Sequence, residues 1–226
     1  MISGPAALSA QQLLGRALLP LRAFLGFTFC FAGLQKLANP RFFDAADPAS
    51  IQSQLAGAAR LSPIHALIAP LVHLAVPLGI LIACGELAIG TCTLLGLWSR
   101  LAAAGGLALS LMLFLTVSFH ATPYYTGSDI VFVFAWTPLL LAGPGSILSL
   151  DAAIAAWAAR RARDEETGPR SWPAAEEASR REVTLKAVAT IGAAAAAMIA
   201  AGVAAGWGRL AGGTAGTTAG VHTRAL

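Results

Sequence analysis

The chain has 226 residues, of which 57% are hydrophobic and 12% charged, with a formal charge of +4. A soluble domain carries roughly 25% charged residues, so the charge here is too sparse to coat a globular surface. An ordinary soluble enzyme, a disordered chain and a nucleic-acid-binding protein are excluded, despite a pI near 9.4. What remains is an all-α integral membrane protein whose partner is the lipid bilayer, and its excess positive charge is read as topology.

A bilayer-crossing helix needs about 20 apolar residues. Residues 101–128, 130–150 and 187–208 contain no Asp, Glu, Lys or Arg, 61–85 and 87–99 are separated only by Glu86, and 23–35 is apolar between Arg22 and Lys36. The simplest parse predicts five helices near 15–37, 70–98, 101–120, 128–144 and 184–206. Together they make a four-helix transmembrane bundle plus a fifth C-terminal transmembrane helix. Asn39-Pro40 ends the first helix, because the residue before a proline is pushed out of the helical region. Between 39 and 60, Asp47-Pro48 reads as an N-cap with a first-turn proline. Ile51 and Leu55, opposite Gln52, Ser53 and Gln54, predict a short amphipathic helix on the membrane surface. Trp98-Ser99-Arg100 is a tight interfacial turn, Thr122 to Gly127 breaks the chain before the fourth helix, and Gly143-Pro144-Gly145 stops it. Residues 160–182 mix both charge signs with Pro169 and Pro173. The predicted organisation is therefore a bundle over 1–155, a charged cytoplasmic linker over 156–182, a fifth span over 183–207 and a flexible outer tail over 208–226.

With the N-terminus inside, Arg16, Arg22, Arg100, Arg160, Arg161, Arg163, Arg170, Arg180, Arg181 and Lys186 fall on the inner side, against Lys36, Arg41, Arg60, Arg209 and Arg224 outside. The positive-inside rule then predicts a multi-pass protein of a bacterial-type plasma membrane, N-terminus cytoplasmic and C-terminus outside. The first helix is expected to be retained, since no small-residue cleavage pattern follows it.

Ionisable residues at membrane depth are functional candidates by default. This topology gathers Lys36, His73, His120, Tyr124, Tyr125 and Asp129 in an outer layer. Histidines that carry protons near neutral pH, a carboxylate to orient them and two aromatic rings suit a quinone headgroup, whose ring lies against aromatics and whose oxygens need proton donors. The plainer alternative is that His73 and Asp129 cap helices and His120 faces water. Glu86 lies 16 residues beyond Pro70, about 24 Å along a helix, and is expected to form a structural ion pair with Arg22 or Arg100 that fixes the first helix against the second and third. Cys30, Cys84 and Cys92 form no Cys-x-x-Cys pair and are expected to pack as small apolar residues. Gly26, Gly33, Gly85 and Gly90 are expected to let helices approach closely.

Read in order, Gly33-Leu34-Gln35-Lys36-Leu37, Gly85-Glu86-Leu87-Ala88-Ile89-Gly90, Leu94 to Ala103 with its Trp98-Ser99-Arg100-Leu101, Ser128-Asp129-Ile130, and Leu148-Ser149-Leu150-Asp151 are similar to the DoxX/DoxD-like membrane family over residues 16–151. The resemblance implies a four-helix membrane bundle. Some members are subunits of thiosulfate:quinone oxidoreductase, and Lys36, Glu86, Arg100 and Asp129 occupy family positions. Before the fifth helix, Ser179-Arg180-Arg181-Glu182-Val183-Thr184-Leu185-Lys186 resembles a twin-arginine export signal. Some DoxD-like proteins are followed at that position by a Rieske iron–sulfur domain, and the resemblance implies that the fifth helix is a remnant or stand-in of such an attachment. The alternative is a plain anchor with a basic flank.

The functional expectation is a membrane subunit of a quinone-linked oxidoreductase, of the thiosulfate:quinone oxidoreductase type. Lys36, His120 and Asp129 would be catalytic, and His73, Tyr124 and Tyr125 would surround the quinone. Arg22, Glu86 and Arg100 would pair structurally. No metal ligand set is read. Quinone is a co-substrate rather than a bound cofactor, and a soluble or iron–sulfur redox subunit is the expected partner. The alternative is a non-catalytic membrane scaffold that recruits a partner redox protein.

Overall fold

The computed structural model describes residues 10–143, 147–166, 180–190 and Gly192. They form α1 (Ala10–Ala38), α2 (Ile51–Leu61), α3 (His65–Ile68), α4 (Ala75–Leu95), α5 (Ser99–Leu113), α6 (Ser128–Ala142) and α7 (Leu150–Glu166), and residues 180–190 are helical. No strand occurs among the described residues. The helical stretches Gln12–Ala38, His65–Leu95 and Ser99–Ser118 are long and apolar enough to cross a membrane; α6 is apolar but has only 15 residues. At 1.5 Å per residue α6 spans about 22 Å, against a hydrocarbon core of about 30 Å. The fifth predicted span and the outer tail lie outside the described residues from 193 onward, as do 167–179 of the linker and 144–146 of the turn after α6.

α1 packs on α4, α4 on α5, α5 on α6 and α6 back on α1, so the four helices close a ring. Glycine sets the α1–α4 contact. A Cβ on Gly33 would fall 2.6 Å from the Ala83 carbonyl oxygen, and one on Gly90 would fall 2.6 Å from the Cys30 backbone nitrogen. The two backbones therefore touch, as small residues permit in membrane helices. Gly26 belongs to the same seam, but Gly85 faces open space, so its expected packing role does not hold. Leu25, Phe29, Ala103, Trp136 and Leu139 form the ring's core. Trp136, fully buried, lies over Gly106 and edge-on to Phe29 at 4.9 Å between centroids.

The α4–α5 turn is clamped by the start of α7. Gly96, at φ 63°, ends α4, with Leu97 N–H bonding Cys92 O and Gly96 N–H bonding Thr93 O, a Schellman motif that needs the left-handed conformation glycine supplies. Ser149 Oγ donates to Gly96 O and accepts from Ala152 N–H as the cap of α7. The Asp151 carboxylate accepts from Trp98 N–H and Ser99 N–H at the N-terminus of α5. The Leu148-Ser149-Leu150-Asp151 stretch thus holds one end of the bundle, called here the Trp98 end. α7 then runs to Glu166, so the predicted linker begins as helix. Ala152, Ala153, Ala155, Ala156, Ala158 and Ala159 supply the propensity that its lack of apolar period hid.

At the opposite end, the chain from 39 to 74 makes a roof. The predicted cap at Asp47 is a turn instead, with Asp47 Oδ1 accepting from Ala49 N–H; Ser50 caps α2 by accepting from Ser53 N–H. α2 is amphipathic as predicted, but its buried residues Ile51 and Ala58 turn toward protein, with Ile51 packed on Gly79, Ala75 and Phe42. Two latches hold it to the end of α5. Ser62 Oγ donates to Leu115 O at 2.8 Å, and His120 Nε2–H donates to Leu61 O at 2.7 Å.

Candidate functional site

Ala83, Glu86, Leu87 and Gly90 share one buried face of α4, at the i, i+3, i+4, i+7 spacing of a helical stripe. That face meets α1 through the glycine seam. Lys36 lies one turn beyond Gly33, and its ammonium reaches both oxygens of Glu86, at 2.7 Å each. Glu86 is 2% exposed, while a quarter of the Lys36 side chain (25%) remains accessible. The pair is thus a buried acid whose ammonium partner, among the described residues, stays partly accessible. Two further elements meet it. Asp129, at the start of α6, lies within Coulombic range of Glu86. Its Oδ2 accepts a short hydrogen bond from Ser118 Oγ in the π-turn that ends α5.

This arrangement corrects the expected ion pair. Neither Arg22 nor Arg100 is the partner of Glu86. Arg22 lies 14 residues before Lys36 on α1, about 21 Å away along the axis. It is 3% exposed and donates to the carbonyls of Ile147 and Leu148 at the Trp98 end. Arg100 is exposed beside Gly143 at the same end. The physical reason is register. The span containing Glu86 begins at His65 and runs past the end of α1, so Glu86 comes level with Lys36 rather than with the arginines.

The outer-layer residues divide. Lys36 and Asp129 come together around Glu86. His120 is exposed with its Nε2 proton committed to Leu61 O. His73 is exposed in the helical turns before α4. Tyr124 and Tyr125 are 63% and 62% exposed and stand edge to face with each other. Among the described residues, no hydrogen bond or ion pair joins these four to Lys36 or Asp129. Ser118 was not singled out from sequence; its signal is a hydroxyl at the end of a span whose neighbour across the turn opens with an acid. An apolar cavity of about 130 Å³ lies under α2, between Leu55, Leu78, Ile82, Met112 and Thr116. Ile82 is one turn from Glu86 on α4, and Thr116 is two residues from Ser118.

Residues 17–121 match the family model DoxX. Over this stretch the chain is similar to the DoxX family. The match takes in α1 to α5 with Lys36, Glu86, Ser118 and His120, and it ends before Asp129, Tyr124 and Tyr125. The DoxX domain and its apolar helices make this a multi-pass membrane protein. No curated protein and no solved structure matches the chain.

Proposed function

We propose that this DoxX protein is the membrane subunit of a quinone-linked oxidoreductase, with Lys36, Glu86 and Asp129 as its proton-handling group. The observation that carries the reading is the Lys36–Glu86 pair, held between two apolar helices long enough to span, with Asp129 in range and an apolar cavity one turn away. Quinone reduction takes two electrons and two protons. Thiosulfate, the donor that the DoxD resemblance implies, supplies two electrons when two molecules join through a sulfur–sulfur bond. The quinone ring would enter the cavity under α2. Lys36, which keeps access to water, would deliver protons beside Glu86, and Asp129, held by Ser118, would orient them. His120 contributes through Nδ1 alone while its Nε2 proton holds α2. The electrons reach the site directly from the donor or through a redox subunit docked on the exposed end that carries His73, Tyr124 and Tyr125. In this reading all four ring helices cross a plasma membrane with the N-terminus cytoplasmic, and a fifth span follows. Arg22 and Arg100 lie on the inner side.

A second reading has its own support. Both oxygens of Glu86 are satisfied by one ammonium, which is how a purely structural pair looks, and it favours a scaffold that recruits a redox partner. One experiment separates the two. The purified full-length protein, alone and with its co-purifying proteins, is given thiosulfate and a soluble quinone, and quinone reduction is followed. The variant Lys36→Met with Glu86→Leu removes the pair while filling its space. Reduction that disappears in this variant supports the proposal. Reduction that follows the partner and ignores the variant supports the scaffold, and no reduction in either preparation overturns the oxidoreductase reading.

A further inference from the structure

The cavity of about 130 Å³ under α2 has a covered side and an open side, and none of the described residues lining it is charged. α2 is the cover, with Ile51 and Ala58 buried at 5% and 4%. It is pinned at both ends. Ile51 packs on Gly79 at one, and the Ser62 and His120 bonds hold the other. The two polar side chains of the wall are engaged. Gln54, exposed on α2, donates its amide to Ala49 O, and the Thr116 hydroxyl donates to Met112 O.

The other side faces outward from the bundle. Leu71, Met112 and Val117 also line the cavity, yet they are 38%, 51% and 55% exposed. All three are apolar, and they belong to the stretches His65–Leu95 and Ser99–Ser118, which are long and apolar enough to cross a membrane. Apolar side chains exposed on a spanning helix meet hydrocarbon rather than water. α4 and α5 also part toward this opening. The Ile89 side chain comes within 3.3 Å of a Cβ placed on Gly105, whereas a Cβ on Gly85, one turn away on the same face of α4, would meet nothing within 4 Å.

We propose that this opening is a lateral entrance, through which a membrane-dissolved substrate carried on an apolar chain reaches the cavity without passing the roof. The chain lies along Met112 and Val117, and the head points inward toward Ile82, one turn from Glu86 on α4. An ion or a sugar would surrender its water to a wall whose polar groups are already bonded. α2 is then a fixed cover and not a lid, and a water-soluble donor must reach the Lys36–Glu86 pair by another route. That the head is a quinone rests on the function proposed above; the entrance does not.

The test uses full-length protein in phosphatidylcholine nanodiscs and a photoreactive azidoquinone with a decyl chain, its adducts located by peptide mass spectrometry. Adducts should fall on the cavity wall. Decylubiquinone should compete for them, and the same ring without a chain should compete about tenfold more weakly or worse. Val117→Trp should plug the entrance and cut labelling about tenfold. Met112→Trp, at a second exposed lining position, should do the same and serves if the first variant fails to fold. Gly57→Leu, where α2 has open space, and Ser62→Ala, which loosens the roof, should leave the labelling rate unchanged. Equal competition by the chainless ring, or labelling that ignores both tryptophans, overturns the entrance. Labelling that speeds up in Ser62→Ala puts the way in under α2 and overturns it as well. A photoreactive farnesol analogue, a chain with no quinone ring, separates the entrance from the quinone reading. If it labels the cavity and Val117→Trp stops it, while the azidoquinone leaves no adduct, the entrance stands and the quinone reading falls. No adduct from either probe overturns the entrance.

Discussion

A carboxylate that is 2% exposed between two apolar helices has lost its water, and the Lys36 ammonium stands in its place. Removing one member of a buried pair typically costs about 3–5 kcal/mol, since the other is left uncompensated, whereas replacing both with packed apolar groups is often close to neutral. Lys36→Met alone should therefore lower the melting temperature of the detergent-solubilised protein sharply, as should Glu86→Leu alone. Lys36→Met with Glu86→Leu together should recover most of the loss. A double variant as unstable as the sum of the singles would show that the two side chains do not act as a pair. Sequence alone made Glu86 stand out, because a lone acid in an apolar run has no bland explanation. It did not give the partner. A count from Pro70 starts the span level with the end of α1, and nothing in a local pattern reports that the span begins further out, at His65. Lys36, Glu86 and Asp129 were each legible as isolated polar residues. Ser118 was not, because a serine in a span costs little and draws no notice.

The elements were easier to read than their pairing. Charge-free runs located α1, α4, α5 and α6 within a few residues, and the Gly96 and Gly143 stops are where their backbone conformations require them. What local pattern could not supply was which glycine faces a neighbour. Gly33 and Gly85 look alike in sequence, yet only Gly33 lies against a backbone. Gly33→Ala should push α1 from α4 and destabilise by about 1–3 kcal/mol, the usual range for overpacking. Gly85→Ala should be neutral or stabilising by about 0.5–1 kcal/mol, because it only removes backbone freedom. Thermal melts of the two variants side by side check this, and equal losses would mean the seam is misplaced. The roof is held differently, by its latches on the end of α5. Ser62→Ala leaves the Leu115 carbonyl without its side-chain donor, at about 1–3 kcal/mol for a buried group. Trypsin should then cut after the exposed Arg60 faster than in the parent protein, and faster still when His120→Ala is added. Unchanged cleavage rates would remove the latch argument.

At the scale of the whole molecule, the short α6 and the clamp at α7 together fix how the chain is threaded. Asp151 N–H bonds Gly96 O and Ser149 Oγ donates to the same oxygen, so the start of α7 lies at the Trp98 end. The turn at 119–127 lies at the roofed end, because His120 holds Leu61 there. The 15 residues of α6 must therefore return the chain from one end to the other, although about 22 Å is less than the hydrocarbon thickness. If α6 crosses the membrane, as the four-span topology proposed above requires, the shortfall of about 8 Å falls at Asp129, since the far end of α6 is anchored at the clamp. In that topology the layer of Lys36, Glu86 and Asp129 lies below the membrane surface, in a recess that α2 and the chain around it cover. The described basic residues follow the same axis: Arg22, Arg100, Arg160, Arg161 and Lys186 belong to the Trp98 end, and Lys36, Arg41 and Arg60 to the roofed end, so the topology proposed above places the Trp98 end in the cytoplasm. With Cys30, Cys84 and Cys92 replaced by serine, a single cysteine at the exposed Ala46 should react with an impermeant maleimide added outside intact cells. One at the exposed Ala159 should react only after the membrane is opened. Reaction of both from the same side would mean that α6 does not cross, and the recess would then not exist.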